Sequence, residues 1–388
     1  MEEYYTLNAN LQRDQLIQGF QSVIWTERYN STGDFQFVVK STSQAKRLLP
    51  VGTWITRKGS HYVGIIDTVS DAQDDNGAQM LTISGFFLEN IFNDRVAMPG
   101  LTDTTTVPNW SITGIPYVVA NELFNAVCVR GAISPNDTIP YYTFGTLLPT
   151  GNIAMPTDPI TLVASPDTLY NTLQKLCQAY YLGFRLVKDG DRGHIYFEIY
   201  TGNDRSTGQS LLDPVVFDTA LQNLSKVSYL TSTVGYKSVA YVFAANGSAV
   251  VYAPDTDAEA TGADRRVLLV NSSNSDPAGP DLTLALQQEG GIALAQQRKL
   301  YAFDGELPPG VGYIYGVDYG LGDIVEERTP EKTGNRMMVT EQIFSSDDTG
   351  EHAFPTLTLV EVFTPGSWLS TPSTIRWLDI PITQTWTS

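Results

Sequence analysis

Short runs of β-branched and aromatic residues, separated by polar turns, dominate the first hundred positions of the chain. This pattern is typical of strands, and Asn-Gly at the end of the polar stretch Asp71–Gly77 is a strong hairpin signal. The same region contains two short helical patterns, at Ser43–Leu49 and Gly85–Val96. The predicted strands are Phe20–Tyr29, Phe35–Val39, Thr53–Lys58, Tyr62–Val69 and Met80–Ser84.

Helical periodicity appears at three later places. Pro116 suits the first turn of a helix over 116–130, and Leu169–Tyr180 follows a capping sequence and stops at Gly183. A third helix is predicted over Leu282–Tyr301, where Gly290-Gly291 should weaken or kink its middle. Further predicted strands are 184–187, 195–200, 215–217, 226–233, 238–244, 266–270, 311–317, 323–327, 337–344 and 356–363.

Blocks of strands with a few helices between them predict a β-rich α+β fold rather than βαβ alternation. We expect two related antiparallel β-barrel modules, an inserted α/irregular region and an extended C-terminal arm. The expected domains are a first β-barrel module at 1–98, an irregular and helical insertion at 99–164, a helix plus β-hairpin module at 165–210, a second β-barrel module with an inserted loop and helix at 211–364, and the arm at 365–388.

Two stretches of the chain share an order of features. In each, a glycine precedes an apolar strand, and a hairpin with an acidic turn ending in glycine follows; Gly52 and Gly322 are the equivalent positions. Identity between the stretches is low, and β-meanders resemble each other by composition alone. The pattern is therefore compatible either with a true duplication or with two unrelated meanders.

Composition and charge narrow the class of protein. The chain has 388 residues, 42% of them hydrophobic, which is enough for two or three domains with cores of their own. It carries 24 Lys and Arg against 42 Asp and Glu, a formal net charge of −18, which disfavours binding to nucleic acid or to an anionic membrane. An acidic wall that repels DNA fits this charge. We expect no secretory signal and no membrane span, because no apolar run is long enough.

Candidate chemistry is sparse. Cys128 and Cys177 are expected to be buried, and His61, His194 and His352 to be exposed loop residues without the Gly-x-Ser-x-Gly motif of a hydrolase. Aligning Asp71–Gly77 with a calcium loop leaves its first and last carboxylates missing. Residues 202–205 lack the lysine of a phosphate loop and are expected to be a tight turn in which Asp204 and Arg205 pair. We predict no catalytic residue, cofactor or metal.

The last 25 residues differ from the rest. Trp368, Trp377 and Trp386 recur every nine residues between prolines, so an extended polyproline arm would place all three indoles on one side. Large aromatic residues on such an arm are typical anchors for a partner protein, and these three are the predicted interface residues. The alternative is that the arm folds back on its own second module.

An ordered set of segments resembles the hub-type minor tail proteins of actinobacterial siphoviruses. The resemblance extends to about residue 365, and the ordered set is more specific than any one segment. The segments are Val23–Asn30, Gly33–Phe35, Tyr200–Thr207, Val216–Asp218, Gln222–Leu224, Gly262–Arg266 and Tyr319–Val325.

The resemblance implies a structural, non-enzymatic protein of the virion, assembled in the host cytoplasm. Three chains with two similar modules each would form a pseudo-sixfold ring that meets a sixfold tail tube. The implied partners are further copies of the chain, the distal tail protein and tail tube, a downstream tail-tip or receptor-binding protein and the tape-measure protein, while genomic DNA passes through without specific binding. Two alternatives stay open at this point: a tail-tip protein with cell-wall hydrolase activity and a carbohydrate-binding adhesin.

Overall fold

The computed structural model describes residues 3–74, 77–98, 110–139, 151–164, 167–189, 193–253, 260–308, 312–329 and 332–359. Its first half is mainly strands, as the alternating apolar pattern predicts. The elements up to residue 200 are β1 (Tyr4–Leu7), β2 (Arg13–Ile17), β3 (Phe20–Arg28), β4 (Asp34–Lys40), α1 (Ser43–Leu48), β5 (Trp54–Arg57), β6 (Gly64–Gln73), β7 (Gln79–Phe87), a 3₁₀ helix (Leu88–Asp94), β8 (Trp110–Gly114), α2 (Pro116–Phe124), which continues as a π-helical turn (Asn125–Val129), a 3₁₀ turn (Pro135–Asp137), β9 (Ile160–Ala164), α3 (Leu169–Ala179), β10 (Gly183–Asp189) and β11 (His194–Tyr200).

The second half continues the same β-rich texture around one long helix. Its elements are β12 (Val216–Asp218), a 3₁₀ turn (Thr219–Leu221), β13 (Ser225–Ser232), β14 (Val239–Ala244), β15 (Gly247–Tyr252), a 3₁₀ turn (Gly262–Asp264), β16 (Val267–Asn271), α4 (Pro280–Ala295), β17 (Leu300–Glu306), β18 (Ile324–Thr329), β19 (Lys332–Asp347) and β20 (Gly350–Leu359).

One 13-stranded sheet contains both the first strand, β1, and the last described strand, β20. Its strand order is β13-β17-β20-β19-β3-β4-β7-β6-β5-β1-β2, with β18 beside β19 and β12 beside β18. One face of the sheet is covered by a core of aromatic and aliphatic side chains that includes Trp25, Phe35, Phe37, Phe303 and Leu357. Strands of both predicted barrel modules thus share one sheet and one core. No closed barrel is found among the described strands, so the two-barrel arrangement and the predicted domain boundaries stay predictions.

A second core lies between α2, α3 and two small antiparallel sheets, β8–β9 and the hairpin β10–β11. α3 begins where the Thr168 hydroxyl accepts the N–H of Asn171 at 3.1 Å, and its leucines pack inward. Phe92 and Phe124 contact Phe197 from the hairpin, with Phe124 stacked on it at 4.2 Å between ring centroids. This helical part of the chain is therefore held by aromatic packing beside the large sheet.

A third, small core is formed by α4 on the sheet β15-β14-β16. α4 runs unbroken through Gly290-Gly291, which corrects the expected weak or kinked middle. A Cβ atom at Gly290 would lie 2.7 Å from Val251 and 2.8 Å from Val242. The glycine therefore lets the helix approach the sheet closely, a tertiary requirement that local helix propensity does not reveal.

Three other segments differ from the sequence-based prediction. The predicted helix 282–301 ends at Ala295, and its last residues begin strand β17 of the large sheet. Gly85–Phe87 belongs to β7, and only Leu88–Asp94 is helical. The described residues of the predicted strand 311–317 form turns instead. In the first two segments, pairing of β17 and β7 within the sheet overrides the local apolar pattern, whereas the described part of the third segment makes only the isolated bridge between Tyr315 and Tyr319.

Candidate functional site

Two parts of the large sheet have the same topology. In the first, β3 pairs with β4, followed across the sheet by β7, β6 and β5. In the second, β13 pairs with β17, followed by β20, β19 and β18. All of these pairings are antiparallel. We call the first set repeat A and the second set repeat B.

The two repeats agree in register as well as in order. Trp54 lies opposite Ile65 in repeat A, and Ile324 lies opposite Met338 at the equivalent place in repeat B. Both fourth strands carry a bulge, between Ile66 and Thr68 in β6 and between Val339 and Glu341 in β19. A one-residue slip would turn every side chain of a strand to the opposite face, so a shared register with a shared bulge is a specific match.

The glycines that first suggested a duplication occupy the same hydrogen-bonded turn. The N–H of Gly52 donates to the carbonyl of Ile66 at 2.8 Å, and the N–H of Gly322 donates to that of Val339 at 2.8 Å. Their φ angles are +87° and +83°, a left-handed conformation that glycine adopts without strain. The sequence left a duplication and two unrelated meanders open, and these pairings favour the duplication.

The repeats are joined inside the chain by direct strand pairing. β19 of repeat B lies antiparallel to β3 of repeat A, with Glu341 opposite Arg28 and Ser346 opposite Val23. On the exposed face of this junction, Arg28 donates to Asp34 and to Glu341, each at 2.5 Å. The junction is therefore a continuous sheet with one ion pair, Arg28–Glu341, across it, not a loose contact between two domains.

A buried carboxylate ties the repeats together on the core side. Glu27 is almost fully buried and accepts hydrogen bonds from Trp25 at 3.0 Å, Arg57 at 3.2 Å and Ser60 at 2.8 Å. Its other oxygen accepts the hydroxyl of Tyr315 at 2.8 Å. Because Tyr315 packs on Phe344 of β19, with 5.5 Å between ring centroids, this one side chain links repeat A to repeat B.

Residues 202–205 bind the Gly322 turn instead of forming a self-contained turn. Arg205 donates to Asp323 at 3.0 Å, and Asp204 pairs with Arg336 at 2.5 Å, so the predicted pairing of Asp204 with Arg205 is wrong. The N–H of Asn203 donates to Asp323 at 2.6 Å. Burial raises the pKa of Asp323, while these donors oppose the shift. Residues 203–205 thus bind the Gly322 turn of repeat B through contacts with residues more than 100 positions away, which the local sequence could not predict.

The three histidines differ in their surroundings. His61 is exposed between strands, as predicted. His194 begins β11 and His352 lies within β20, both half-buried, which corrects the prediction of exposed loop residues for these two. Nδ1 of His352 lies 2.5 Å from Glu306, which also pairs with Lys226 at 2.6 Å. This arrangement joins β20 to β17 and β13 within repeat B.

The remaining candidate residues for catalysis or metal binding are the two cysteines and the acidic residues of the 71–77 stretch. Cys128 and Cys177 are buried, as predicted, and burial raises the pKa of the Cys128 thiol to about 12. The predicted hairpin turn lies between β6 and β7, but Asp71–Gln73 extend strand β6 instead of belonging to the turn, which the N–H of Gly77 closes by donating to the carbonyl of Asp74 at 3.0 Å. Within the described residues, no group of three His, Cys, Asp or Glu is placed to hold a metal ion.

Glu89 is a buried carboxyl whose titration should be measurable. One of its oxygens accepts the N–H of Leu186 at 2.7 Å, and burial raises its pKa to about 7. A raised folded-state pKa means that the protonated form is stabilised, so stability should fall as pH rises from about 4.5 to 7. The Glu89→Gln variant keeps an acceptor but does not titrate.

We expect Glu89→Gln to gain about 3 kcal/mol relative to the parent chain between pH 4.5 and pH 8, since one pKa unit corresponds to about 1.4 kcal/mol. Urea unfolding of both chains across this pH range measures the difference. A stability difference that does not change with pH would contradict a raised pKa at Glu89.

Trp368, Trp377 and Trp386 lie outside the described residues, so their interface role stays a prediction. The structure adds residues that the sequence did not single out: Glu27, Arg57, Arg28 and Glu341. The pairs Glu27–Arg57 and Arg28–Glu341 join strands far apart in sequence, and only the pairing of β19 with β3 brings the second pair together. No helix among the described residues is long and apolar enough to cross a membrane.

Comparison with known proteins identifies relatives of the whole fold. The family model described as Siphovirus ReqiPepy6 Gp37-like protein matches residues 3–351. A tail protein from Neisseria meningitidis MC58 has a similar fold, with a TM-score of 0.55 and 15% identity, over 95% of this chain and 98% of the other. The 43 kDa tail protein of prophage MuSo2 from Shewanella oneidensis has a TM-score of 0.53 and 13% identity, over 92% and 97% of the two chains. No curated protein matches the sequence.

Proposed function

The chain belongs to the Siphovirus ReqiPepy6 Gp37-like protein family, and on that premise we propose that it is the structural hub of a phage tail tip. The family match confirms the resemblance to siphovirus tail proteins, and the fold is similar to those of the Neisseria meningitidis tail protein and the prophage MuSo2 tail protein. In the proposed role, three chains form a pseudo-sixfold ring. The ring joins the tail tube and distal tail protein to the adhesion apparatus and surrounds the DNA exit channel.

The internal repeat is the observation that carries this proposal. A threefold ring matches a sixfold tube only if each chain supplies two similar modules, and repeats A and B have the same strand order and register. An enzyme or a monomeric adhesin has no comparable need for two equivalent modules in one sheet. The repeat therefore favours the hub over the hydrolase and the carbohydrate-binding adhesin.

The charge of the chain supports a passage for DNA. A formal net charge of −18 per chain gives the assembled ring a strongly negative potential, so that DNA phosphates would be repelled rather than bound. In this proposal the DNA moves through without specific contacts. The place of action is the virion tail.

We include the C-terminal arm in the proposal. Trp368, Trp377 and Trp386 would anchor residues 365–388 on a neighbouring chain, either another hub protomer or the next tail-tip protein. The arm has few charged side chains, Arg376 and Asp379, so such a contact would depend little on salt.

Native mass spectrometry of the purified chain tests the proposed ring. We expect a trimer, because two repeats per chain complete six positions with three chains. A chain truncated after Pro365 distinguishes the candidate docking sites of the arm. Loss of the trimer by folded chains assigns the arm to a hub protomer, a folded trimer that fails to retain the next tail-tip protein assigns it to that protein, and a truncated chain that unfolds or aggregates assigns it to its own second module. A full-length chain that stays monomeric at every concentration would contradict the ring.

A further inference from the structure

The equivalence of the repeats leaves two strand edges without the neighbour that their counterparts have. β3 of repeat A lies between β4 and β19, but its counterpart β13 pairs only with β17 among the described strands. The bulged half of β19 lies between β20 and β3, but the equivalent half of β6, Thr68–Gln73, pairs only with β7 in the described structure. We call these two edges the β13 edge and the β6 edge.

The exposure of side chains on β13 shows that, among the described strands, this edge lacks the neighbour that covers β3. Trp25 on β3 is fully buried, while Tyr229, at the equivalent position of β13, is 51% exposed. The adjacent Leu230 is 49% exposed. Tyr229 keeps its contacts inside repeat B, with its hydroxyl donating to Glu327 at 3.0 Å. Its exposure therefore comes from the open side of the strand, where β3 has β19.

We infer that the β6 edge of one chain pairs with the β13 edge of the next, as β19 pairs with β3 within the chain. The inference rests on the proposed ring and names the surface that closes it. The occupant of each edge is thus a second copy of this protein. Because the two edges differ, the contact is head-to-tail, which is the type that generates rings.

The register of this contact follows from the register inside the chain. Ile24 lies opposite Ser345 at the internal junction, and these residues correspond to Ser228 on β13 and Ala72 on β6. Ser228 and Ala72 should therefore face each other across the boundary between chains. The same correspondence between the repeats places Leu230 opposite Ser70, and Ser232 opposite Thr68, across the boundary between chains.

The chemistry of the two edges is compatible with this pairing. At the internal junction, the carboxylate of Glu341 is matched by Arg28, whereas Thr68 and Ser232 at the equivalent places are uncharged. Asp71, the acidic residue within the β6 edge, is paired with Lys46 of its own chain at 2.5 Å. No like charges are brought together, so backbone hydrogen bonds can form along both edges.

Engineered cysteines test the register in the full-length chain. Ala72→Cys combined with Ser228→Cys should give covalent dimers and trimers on a non-reducing gel after mild oxidation, because opposed residues of antiparallel strands are within disulfide reach. Cys128 and Cys177 are buried and should not interfere. A mixture of the two single variants should give dimers only, and either single variant alone should give none.

Two matched double variants serve as controls. Ile24→Cys with Ser345→Cys occupies the equivalent places of the internal junction and should close a disulfide within one chain. Gln73→Cys with Ser228→Cys is shifted by one residue, which turns one side chain to the opposite face, and should cross-link far less.

The outcomes separate this inference from the proposed ring. A trimer in native mass spectrometry without the Ala72–Ser228 cross-link, while the internal control closes, would overturn the edge pairing and leave the ring standing. A monomer would overturn both. Self-linking of a single variant, or a disulfide within one chain, would also overturn the pairing. Cross-linking that appears only after truncation beyond Leu359 would overturn it too, by assigning the edge to the chain's own terminal segment.

Discussion

Replacing Glu27 by Gln should lower the free energy of unfolding by about 3–5 kcal/mol, the usual cost of removing one partner from a buried ion pair. Glu27 and its partner Arg57 are both buried, with side-chain exposures of 2% and 8%. The substitution keeps the size of the side chain but removes the negative charge of Glu27 from beside the buried guanidinium of Arg57. The loss therefore reports electrostatics rather than a cavity.

The position of Glu27 makes the effect extend to both repeats. Arg57 also stacks on the ring of Phe344 from β19, 3.8 Å from its centroid, and Tyr315 donates to Glu27 from the second half of the chain. Unfolding of Glu27→Gln by urea, followed by tryptophan fluorescence and circular dichroism, measures the loss. Transitions that separate between the two probes would indicate that the repeats have become independent.

The matched control for Glu27 is the same chemical change at an exposed pair. Glu3 contacts Lys58 at 2.9 Å on the surface, next in sequence to Arg57. Glu3→Gln should leave the urea midpoint nearly unchanged, since exposed ion pairs are screened by water and salt. Equal effects of Glu3→Gln and Glu27→Gln would show that burial does not determine the strength of the Glu27 cluster.

Of the two equivalent turn glycines, Gly322 should be the more costly to replace: Gly322→Ala should lower the free energy of unfolding more than Gly52→Ala does. The φ of +83° at Gly322 costs an L-residue about 1–2 kcal/mol. In addition, a Cβ atom there would lie 2.3 Å from the ring of Tyr29, which is fully buried and packs edge-on against Tyr200. Overpacking of this kind adds about 1–3 kcal/mol, so the total loss is about 2–5 kcal/mol.

The repeat supplies the control for Gly322. Gly52 has nearly the same φ, +87°, and makes the same backbone hydrogen bond, but a Cβ atom there would meet nothing within 4 Å. Gly52→Ala should therefore show the backbone cost alone, about 1–2 kcal/mol. Urea unfolding of both variants gives the difference. If Gly52→Ala proved as destabilising as Gly322→Ala, contact with Tyr29 would not be the cause.

Sequence reasoning identified most elements because their patterns are local. The strand at Phe20–Arg28, the capped helix that begins after Thr168 and the β6–β7 hairpin depend on neighbours a few residues away. The sequence-based prediction was wrong at Leu300–Glu306. The apolar pattern there continues that of the preceding helix, but the segment forms strand β17 because β13 and β20 pair with it. The prediction was also wrong at Arg205, whose partner Asp323 is 118 residues away.

The sequence by itself determined the β-rich fold class, the acidic character of the chain, the family and the pair of equivalent glycines, because these depend on composition, local periodicity and ordered motifs. Tertiary structure alone decided that repeats A and B share one sheet and that Glu27 holds both. It also decided which edges, at β6 and β13, stay open. The pairing of β3 with β19, which joins the repeats, is set by contacts between residues about 300 positions apart, such as Arg28 and Glu341. A local pattern shows that a strand forms but does not show which strand lies beside it.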